Sequence, residues 1–435
     1  MPPARFETSE KAGSFHSVLA VEPLGRPVAA RVAVPGSKSL TNRALVAAAL
    51  ARTGVSRLYR PLEADDTEAM REALRALGVL IDDNDDPWLV LGTGGELEAN
   101  DVRIDVRASG TTARFITAVA ALAKGRVVVD GVPRMRERPI GPLVEAIRSL
   151  GGEASDSGGF PPVEVNGSGV LRGGEIFVDS SQSSQFASAL LLVAPLAESQ
   201  TTIDIGENPV SRPYLDGTVE IMRRFGAEVE VDGNRFVVQP TGYEKAHVDI
   251  EPDASAAVYP AVAAAITGGV VEIPGIPASS TQPDLAVLDV LGVMGAKVIR
   301  RDDMVRIEGP NGALAAVDID MSTAPDGAMA VAVAALFADG PSRIHGLSTL
   351  RLKETDRLAA LETELRRLGA RAEVQGDTLV VTPGDLHGAE IATYGDHRMA
   401  MAFALVGLVV DGVSISDPGV VQKTWPEYFQ MLEGL

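Results

Sequence analysis

Residues 36–43, Gly-Ser-Lys-Ser-Leu-Thr-Asn-Arg, combine small polar residues with two cations directly before an apolar run. We interpret them as an anion-binding loop, because Gly36 permits unusual backbone conformations, the serines offer hydroxyl donors, and Lys38 and Arg43 carry positive charge. The apolar run 44–51 predicts a helix, and the free N–H groups at a helix N-terminus favour anions. A capped helix start with solvated charges would have the same composition, so this segment alone leaves both interpretations open.

Further cations stand where a predicted loop meets a predicted helix, and these are Arg138, Lys353, Arg357, Arg398 and Lys423. Each could by itself be a surface charge or a helix cap. Their recurrence at matching points of a repeat predicts a site for a small substrate with several negative charges, since phosphate and carboxylate accept bidentate arginine and helix N–H groups.

Five residues among these clusters could supply acid–base chemistry: Asp326, Glu354, Asp356, Asp396 and His397. Asp326 is equally well placed to be a plain N-cap, and His397 could simply orient its neighbour Arg398. The five histidines of the chain are scattered and show no paired ligand spacing, so we expect no metal site.

Composition excludes several classes of function. The chain has 435 residues, a net charge of −20 and only 4% aromatic residues, which argues against binding a nucleic acid. It has no cysteine, which fits a cytoplasmic enzyme, and we see no signal peptide. The longest apolar run, Met399–Val410, has 12 residues, too few to span a membrane. Residues 1–16 are polar and predict a loose tail.

Two series of helix ends reveal an internal repeat of about 70 residues. Apolar helices end near positions 54, 125, 199, 268, 340 and 412, and amphipathic helices end near 78, 151, 226, 295 and 369. Glycine at these ends predicts left-handed caps. Each repeat is strand–helix–strand–helix–strand–strand, and the final helix, 426–435, belongs to the sixth copy. Because the first helix of each copy is apolar nearly all round, we expect it to be buried.

Six copies in a chain of this length predict an α/β protein with two domains of three copies each. The expected boundaries are 36–250 for the first domain and 1–35 with 251–435 for the second. A loop-like stretch at 240–253 and a crossing near 34–36 would connect them. A cleft between the domains would be the default ligand site.

The chain resembles the 5-enolpyruvylshikimate-3-phosphate synthases from about residue 29 to its end. The resemblance rests on the motifs Pro35–Arg43, Arg134–Gly141, Lys353–Arg357 and Gly395–Met399. It implies two inside-out α/β barrel domains of the enolpyruvyl transferase type. It also implies transfer of the enolpyruvyl group of phosphoenolpyruvate to the 5-hydroxyl of shikimate 3-phosphate, with release of phosphate and without metal or organic cofactor. We expect a monomer with these two small anionic substrates as its partners.

The resemblance also assigns roles to individual residues. Asp326 would be the base on the 5-hydroxyl, Glu354 would protonate the methylene carbon of phosphoenolpyruvate, and Lys38 would assist catalysis. The residues around phosphoenolpyruvate would be Lys38, Gly110, Arg138, Gln185, Arg357, Arg398 and Lys423. Those around shikimate 3-phosphate would be Ser39, Arg43, Ser183, Ser184, Gln185, Ser211, Tyr214, Asp326 and Lys353.

This sequence departs from many relatives at Ala108 and Thr349, where an asparagine is usual. Two rival functions stay open. The related transferases that act on UDP-N-acetylglucosamine typically use a loop cysteine, which this chain lacks. An inactive anion-binding protein would be expected to lose Asp326 or Glu354, and both are present.

The distribution of cations over both predicted domains generates a prediction about conformation. Ligands that contact both halves should favour a closed hinge. We expect saturating shikimate 3-phosphate plus a phosphoenolpyruvate analogue to lower the radius of gyration in small-angle X-ray scattering. An unchanged radius would contradict closure unless the free protein already has the closed radius.

Overall fold

The computed structural model of the protein describes residues 17–207 and 209–435, and the predicted N-terminal tail lies outside this range. The chain forms two compact units. We call Pro35–Glu251 the continuous unit, and residues 17–34 together with Pro252–Leu435 the split unit. Each unit has its own apolar core, and neither core cluster includes residues of the other unit.

The elements follow in chain order. The first segment of the split unit contains β1 (Val18–Val21) and β2 (Ala29–Arg31). The continuous unit contains α1 (Lys38–Leu50), β3 (Val55–Tyr59), α2 (Asp65–Ala76), β4 (Ile81–Asp82), β5 (Trp88–Leu91), β6 (Leu97–Asp105), α3 (Gly110–Ala120), β7 (Ala123–Asp130), α4 (Gly141–Ser149), β8 (Glu153–Ser155), β9 (Val163–Ser168), β10 (Gly174–Phe177), α5 (Gln185–Val193), β11 (Thr201–Asp204), α6 (Pro213–Arg224), β12 (Val229–Asp232), β13 (Arg235–Val238) and β14 (His247–Asp249).

The second segment of the split unit completes the described chain. It contains α7 (Ala254–Thr267), β15 (Val270–Pro274), α8 (Ala286–Val293), β16 (Lys297–Arg301), β17 (Met304–Glu308), β18 (Asp318–Asp320), α9 (Ala328–Ala334), β19 (Ser342–His345), α10 (Arg357–Arg367), β20 (Arg371–Gln375), β21 (Thr378–Thr382), β22 (Glu390–Ile391), α11 (His397–Gly407), β23 (Val413–Ser416) and α12 (Tyr428–Glu433). Short 3₁₀ helices include Pro133–Glu137, Ser348–Leu352, Pro325–Gly327 and Pro418–Lys423.

The strands form mixed sheets that follow the repeat. In the sheet β6-β7-β9-β8, the first two strands are parallel and the last two strands are antiparallel to their neighbours. The sheets β10-β11-β13-β12 and β18-β19-β21-β20 have the same order. The predicted α/β class with repeated strand–helix units is therefore confirmed.

Three sheets contain strands that are distant in sequence. β14 is parallel to β3 and completes the first sheet of the continuous unit, whereas β2 is parallel to β15 in the split unit. β1 is antiparallel to β23, so the N-terminal strand completes the sheet of the sixth repeat. The chain crosses between the units at 34–35 and at 251–252.

The first helix of each repeat is buried, as predicted. Every residue of α3 and of α11 is buried, and α1 is buried from Thr41 to its end. These helices consist largely of alanine, valine and leucine, so they pack closely within each unit. The second helices, such as α2 and α6, bury one face only.

Glycine caps occur at only some of the predicted positions. The second helices are followed by glycines with positive φ at Gly78, Gly151, Gly226, Gly295 and Gly369. Among the buried helices, Gly268 is a left-handed cap of α7.

The cap prediction was wrong for Gly54, Gly125, Gly340 and Gly412. The buried helices before these glycines end earlier than predicted. Their last turn has 3₁₀ hydrogen bonds, or the residue at the C-cap has an extended backbone conformation. Gly125, for example, lies within β7.

Close backbone packing against the buried helices generates a pair of opposite predictions in the split unit. A Cβ on Gly309 would lie 2.1 Å from the carbonyl oxygen of Ala264 in α7, a contact that neither backbone can relieve cheaply. We expect Gly309→Ala to lower the free energy of unfolding by about 1–3 kcal/mol. Gly292 lies in α8 with open space around its Cβ position, so Gly292→Ala should raise it by about 0.5–1 kcal/mol. Denaturant titration of both variants checks this, and equal effects would contradict the packing argument.

Candidate functional site

A buried arginine organises the polar residues of the split unit. Arg357 is the first residue of α10, and its guanidinium contacts three carboxylates. Its Nε and Nη2 atoms lie 2.6 and 3.1 Å from the two oxygens of Asp396. Nη1 donates to Asp326 at 2.8 Å, and Nη2 donates to Glu354 at 3.0 Å. One side chain therefore holds three acidic residues from three separate parts of the chain.

Three other cations surround these carboxylates. Lys353 Nζ lies 3.1 Å from Oδ1 of Asp326, and Arg398 Nη2 lies 3.7 Å from its Oδ2. Lys423 Nζ lies 3.7 Å from Oε1 of Glu354. Together with Arg357, four cations therefore lie among these carboxylates, and such a concentration of positive charge suits the binding of a further anion.

Burial and charge act in opposite directions on the ionisable groups. Burial alone would raise the pKa of Asp326, but the charges of Lys353, Arg398 and Arg357 outweigh burial and hold it well below the ordinary value. Burial lowers the pKa of Lys353, and the neighbouring Asp326 opposes this only in part. The pKa of Arg357 is raised despite its burial, because the carboxylates favour the charged form. Asp326 is therefore ionised at neutral pH.

Local sequence explains why these side chains gather. Asp356 caps α10 by accepting from the amide of Ala359, and this fixes the point at which Arg357 enters the helix. Asp396 caps the buried helix α11 by accepting from the amide of Arg398 at 2.8 Å. Polar residues thus occur at the helix ends, where backbone groups need partners, and the apolar helix bodies form the core.

The structure shows the contacts of the residues whose roles the sequence left open. Asp326 lies in the 3₁₀ helix Pro325–Gly327, makes no side-chain cap bond and contacts the cations instead. Asp356 caps α10 and also contacts Arg351 at 3.2 Å. His397 is buried, with Nδ1 3.5 Å from Asp396.

In the continuous unit, the predicted loop 36–43 is mostly helical. α1 already begins at Lys38, because the side chain of Ser37 accepts from the amide of Leu40 and caps the helix. Gly36 does not have a positive φ, and glycine is needed there because a Cβ would lie 2.2 Å from the carbonyl oxygen of Arg60. Lys38 Nζ lies 3.2 Å from Oδ2 of the buried Asp66 in α2.

Arg43 is held by neutral groups. Its Nε donates to Thr218 at 2.7 Å, and Nη1 donates to both the carbonyl and the hydroxyl of Ser39 at 3.0 and 3.2 Å. Nη2 donates to Ser188 and to the carbonyl of Tyr214, both at 3.3 Å. Burial lowers the pKa of Arg43 to about 10. Each of its three nitrogens donates to a group of this unit, so direct binding of a ligand requires an exchange of partners.

Gly110 begins α3 and faces Arg138. A Cβ on Gly110 would lie 2.5 Å from Nη2 of Arg138 and 2.8 Å from its Cζ. The guanidinium is also near the carbonyl of Ala108, at 3.4 Å from Nη1. The absence of a side chain at Gly110 therefore sets the position of Arg138 over the helix N-terminus.

The remaining predicted residues of this unit lie at the starts of α5 and α6. Ser184 directly precedes Gln185, the first residue of α5, and the Ser183 hydroxyl accepts from the Gln185 amide at 3.2 Å. The Gln185 side chain reaches Thr111 in α3 at 3.5 Å. Ser211 has a left-handed φ of 52° and accepts from the amide of Tyr214 through its carbonyl.

Sequence reasoning missed two buried acids next to these clusters. Asp66 was hidden in an ordinary amphipathic helix start, and its only signal was an acidic first turn. Asp284 is hydrogen-bonded to Ser255, and burial raises its pKa although the charge of Arg398 opposes the rise. Thr349, at one of the positions that depart from relatives, has a buried hydroxyl without a hydrogen-bond partner in the described part of the chain.

The described residues contain neither a metal-binding cluster nor a membrane-spanning helix. No three histidine or acidic side chains at positions 17–207 and 209–435 gather so that they could hold a metal ion. None of the helices described here combines the length and apolar character that a membrane-spanning helix needs.

The fold is that of the enolpyruvyl transferase class, and comparison with known proteins gives the family. Residues 24–432 match the family EPSP synthase (3-phosphoshikimate 1-carboxyvinyltransferase). The chain is 43% identical to the 3-phosphoshikimate 1-carboxyvinyltransferase of Methanoculleus marisnigri, over 94% of this chain and 97% of the relative. It is 45% identical to that of Serratia proteamaculans, over 92% and 95%. The chain therefore belongs to the EPSP synthase family.

A solved structure agrees with this assignment. EPSP synthase from Acinetobacter baumannii, determined at 2.37 Å, superposes with a TM-score of 0.81 at 25% identity, covering 96% of this chain and 98% of that one. The family resemblance predicted from the motifs is confirmed. The roles of individual residues stay predictions.

The contact between Gly110 and Arg138 generates a prediction. Gly110→Ala places a methyl group against the guanidinium and should displace it, while the helix itself tolerates alanine. We expect the Michaelis constant for phosphoenolpyruvate to rise about tenfold, the size of one lost charge-assisted hydrogen bond. Inhibition by glyphosate should weaken as well, and the constant for shikimate 3-phosphate should change little.

Steady-state kinetics and melting temperatures check this prediction. Gly217→Ala is a matched control, because Gly217 lies within α6 and its Cβ position has only a side-chain atom of Leu40 near it, at 3.9 Å. If Gly110→Ala raises the Michaelis constants of both substrates equally and strongly lowers the melting temperature, Gly110 is needed only for the start of the helix.

Proposed function

We propose that the protein transfers the enolpyruvyl group of phosphoenolpyruvate to the 5-hydroxyl of shikimate 3-phosphate and releases phosphate. Family membership over nearly the whole chain supports this reaction. The observation that carries the chemistry is the buried cluster in which Arg357 holds Asp326 and Glu354 among further cations. Such a cluster suits a reaction between two anionic substrates that moves protons.

In the proposed mechanism Asp326 accepts the proton of the 5-hydroxyl. Its depressed pKa keeps it ionised but makes it a weak base. The 3-phosphate of shikimate 3-phosphate would pair with Lys353, whose Nζ lies 3.1 Å from Oδ1 of Asp326. Less of the charge of Lys353 would then act on Asp326, so its basicity would rise as the substrate binds.

Glu354 supplies a proton to the methylene carbon of phosphoenolpyruvate in this mechanism. Protonation makes the neighbouring carbon electrophilic, and the deprotonated 5-oxygen forms a bond to it. Loss of a proton from the new methyl group and cleavage of the C–O bond to phosphate then give the enolpyruvyl ether. Arg357 and Lys423 lie beside Glu354, where their positive charges would stabilise the negative charge of the departing phosphate.

The continuous unit would contribute anion-binding groups to the same reaction. Lys38 and Arg138 are proposed contacts of phosphoenolpyruvate, and both lie near N-termini of buried helices. Ser39, Ser183, Ser184 and Ser211 are proposed contacts of shikimate 3-phosphate, with Gln185 and Tyr214 beside them. A cleft between the domains, a monomeric state and a cytoplasmic location stay predictions.

The acid–base roles generate a prediction about turnover. Asp326→Asn and Glu354→Gln keep size and hydrogen bonding but remove proton exchange, which typically costs about 10²–10⁴ in rate. We expect phosphate release from phosphoenolpyruvate with shikimate 3-phosphate to fall by this factor, while calorimetry still detects substrate binding.

Two controls accompany this measurement. Asp356→Asn is matched in chemistry, and because asparagine is an equally good N-cap, its turnover should stay close to that of the unchanged protein. UDP-N-acetylglucosamine in place of shikimate 3-phosphate should give no phosphate release. Near-normal turnover in both active-site variants would contradict the proposed roles, and release only with the sugar nucleotide would favour the related transferase.

A further inference from the structure

The turn that leads into α11 has an unusual backbone. Tyr394 and Gly395 both have left-handed conformations, with φ of 55° and 68°. This region is accessible to glycine but costs free energy for a bulky residue such as tyrosine. The next residue, Asp396, caps α11 and contacts Arg357. A strained turn therefore directly precedes the residues that organise the cluster.

A buried carboxylate on α10 holds this turn. Glu364 is fully buried, and its Oε1 accepts from the Tyr394 hydroxyl at 2.7 Å. Its Oε2 accepts from the backbone amide of Ala392 at 3.3 Å and lies 3.0 Å from Nε of Arg367. A buried carboxylate is tolerated when its oxygens are satisfied in this way. Partial burial, followed by the hydrogen bond to Glu364, raises the pKa of Tyr394 to about 12.

The exposure of Tyr394 indicates why a tyrosine occupies this position. Its side chain is not part of the core, since 43% of the residue is exposed. The ring therefore adds little hydrophobic stabilisation that would justify the strained backbone. The hydroxyl, in contrast, donates to the carboxylate of Glu364, which is buried away from solvent.

α10 thus holds the segment 392–398 at two points. Arg357 and Glu364 are seven residues apart, two helical turns, and so lie on the same face of α10. Arg357 contacts Asp396 at the helix start, and Glu364 contacts Ala392 and Tyr394 further along. Two points fix both the position and the direction of the segment that ends in Arg398.

We propose that Glu364 and Tyr394 form a positioning pair, which keeps the turn in its left-handed conformation and thereby aligns Asp396 and Arg398 for the reaction. Neither residue touches the substrates in this proposal. The kinetic effect expected from this proposal rests on the proposed function, whereas the expected change in hydrogen exchange is independent of that function.

Tyr394→Phe tests the proposal, because it removes the hydroxyl and keeps the ring. We expect kcat/KM for phosphoenolpyruvate to fall about tenfold, as is typical when a supporting contact of a functional residue is lost. The Michaelis constant for shikimate 3-phosphate should change less than twofold. Glu364→Gln keeps an oxygen for the tyrosine hydroxyl, so it should retain most of the activity that Tyr394→Phe loses.

Tyr243→Phe is the matched control. Tyr243 is buried in the continuous unit and donates its hydroxyl to the carbonyl of Leu192 at 2.9 Å, so its replacement also removes one hydrogen bond. It should lower the melting temperature without changing kcat/KM. If Tyr394→Phe likewise lowers only the melting temperature, the pair is merely structural and the proposal is wrong.

Hydrogen exchange separates this proposal from the proposed function. Tyr394→Phe should speed exchange of the amides of Arg398 and Ala400, which Asp396 holds at the start of α11, with or without turnover. Unchanged exchange there, together with unchanged kinetics, would overturn the positioning role. An unmodified protein without any turnover would instead contradict the proposed function, and the exchange result would still decide whether the pair fixes the turn.

Discussion

The buried guanidinium of Arg357 is the interaction on which the split unit depends. A charge without solvent is costly unless paired, and breaking such a pair typically costs about 3–5 kcal/mol because the remaining charge stays buried. Here the partners are Asp326, Glu354 and Asp396, from three separate segments. Because one guanidinium contacts all three, it holds the starts of α10 and α11 and the turn before α9 in one arrangement.

Each unit contains a buried arginine, and the two arginines are stabilised by different kinds of partner. In the continuous unit, Arg43 is surrounded by hydroxyls and carbonyls, and burial lowers its pKa to about 10. In the split unit, carboxylates raise the pKa of Arg357 in spite of burial. Neutral partners leave the positive charge of Arg43 uncompensated, whereas the carboxylates around Arg357 are themselves available for proton transfer. The proposed acid and base accordingly belong to the split unit.

The buried helices have apolar bodies and polar starts, and this makes the surroundings of both Arg43 and Arg357 possible. Their bodies are built from small apolar residues that pack without polar groups, as in α3 and α11. Their starts carry serine and aspartate side chains that satisfy free N–H groups, and lysine and arginine side chains that are the proposed anion contacts. The repeat places such a helix start three times in each unit, so the proposed site residues concentrate at the helix starts while the helix bodies form the apolar cores.

The sequence by itself determined the repeat, the burial of its first helices and the family, because apolar periodicity and several long motifs are local properties. It also identified most residues of the clusters. Only the tertiary structure decided which cation contacts which carboxylate and that Asp356 is a cap. It also showed that the buried acids Asp66, Asp284 and Glu364 lie near Lys38, Arg398 and Tyr394, respectively. It alone showed that β2 and β14 pair outside their own repeats. Such pairings join residues hundreds of positions apart, and no local pattern records them.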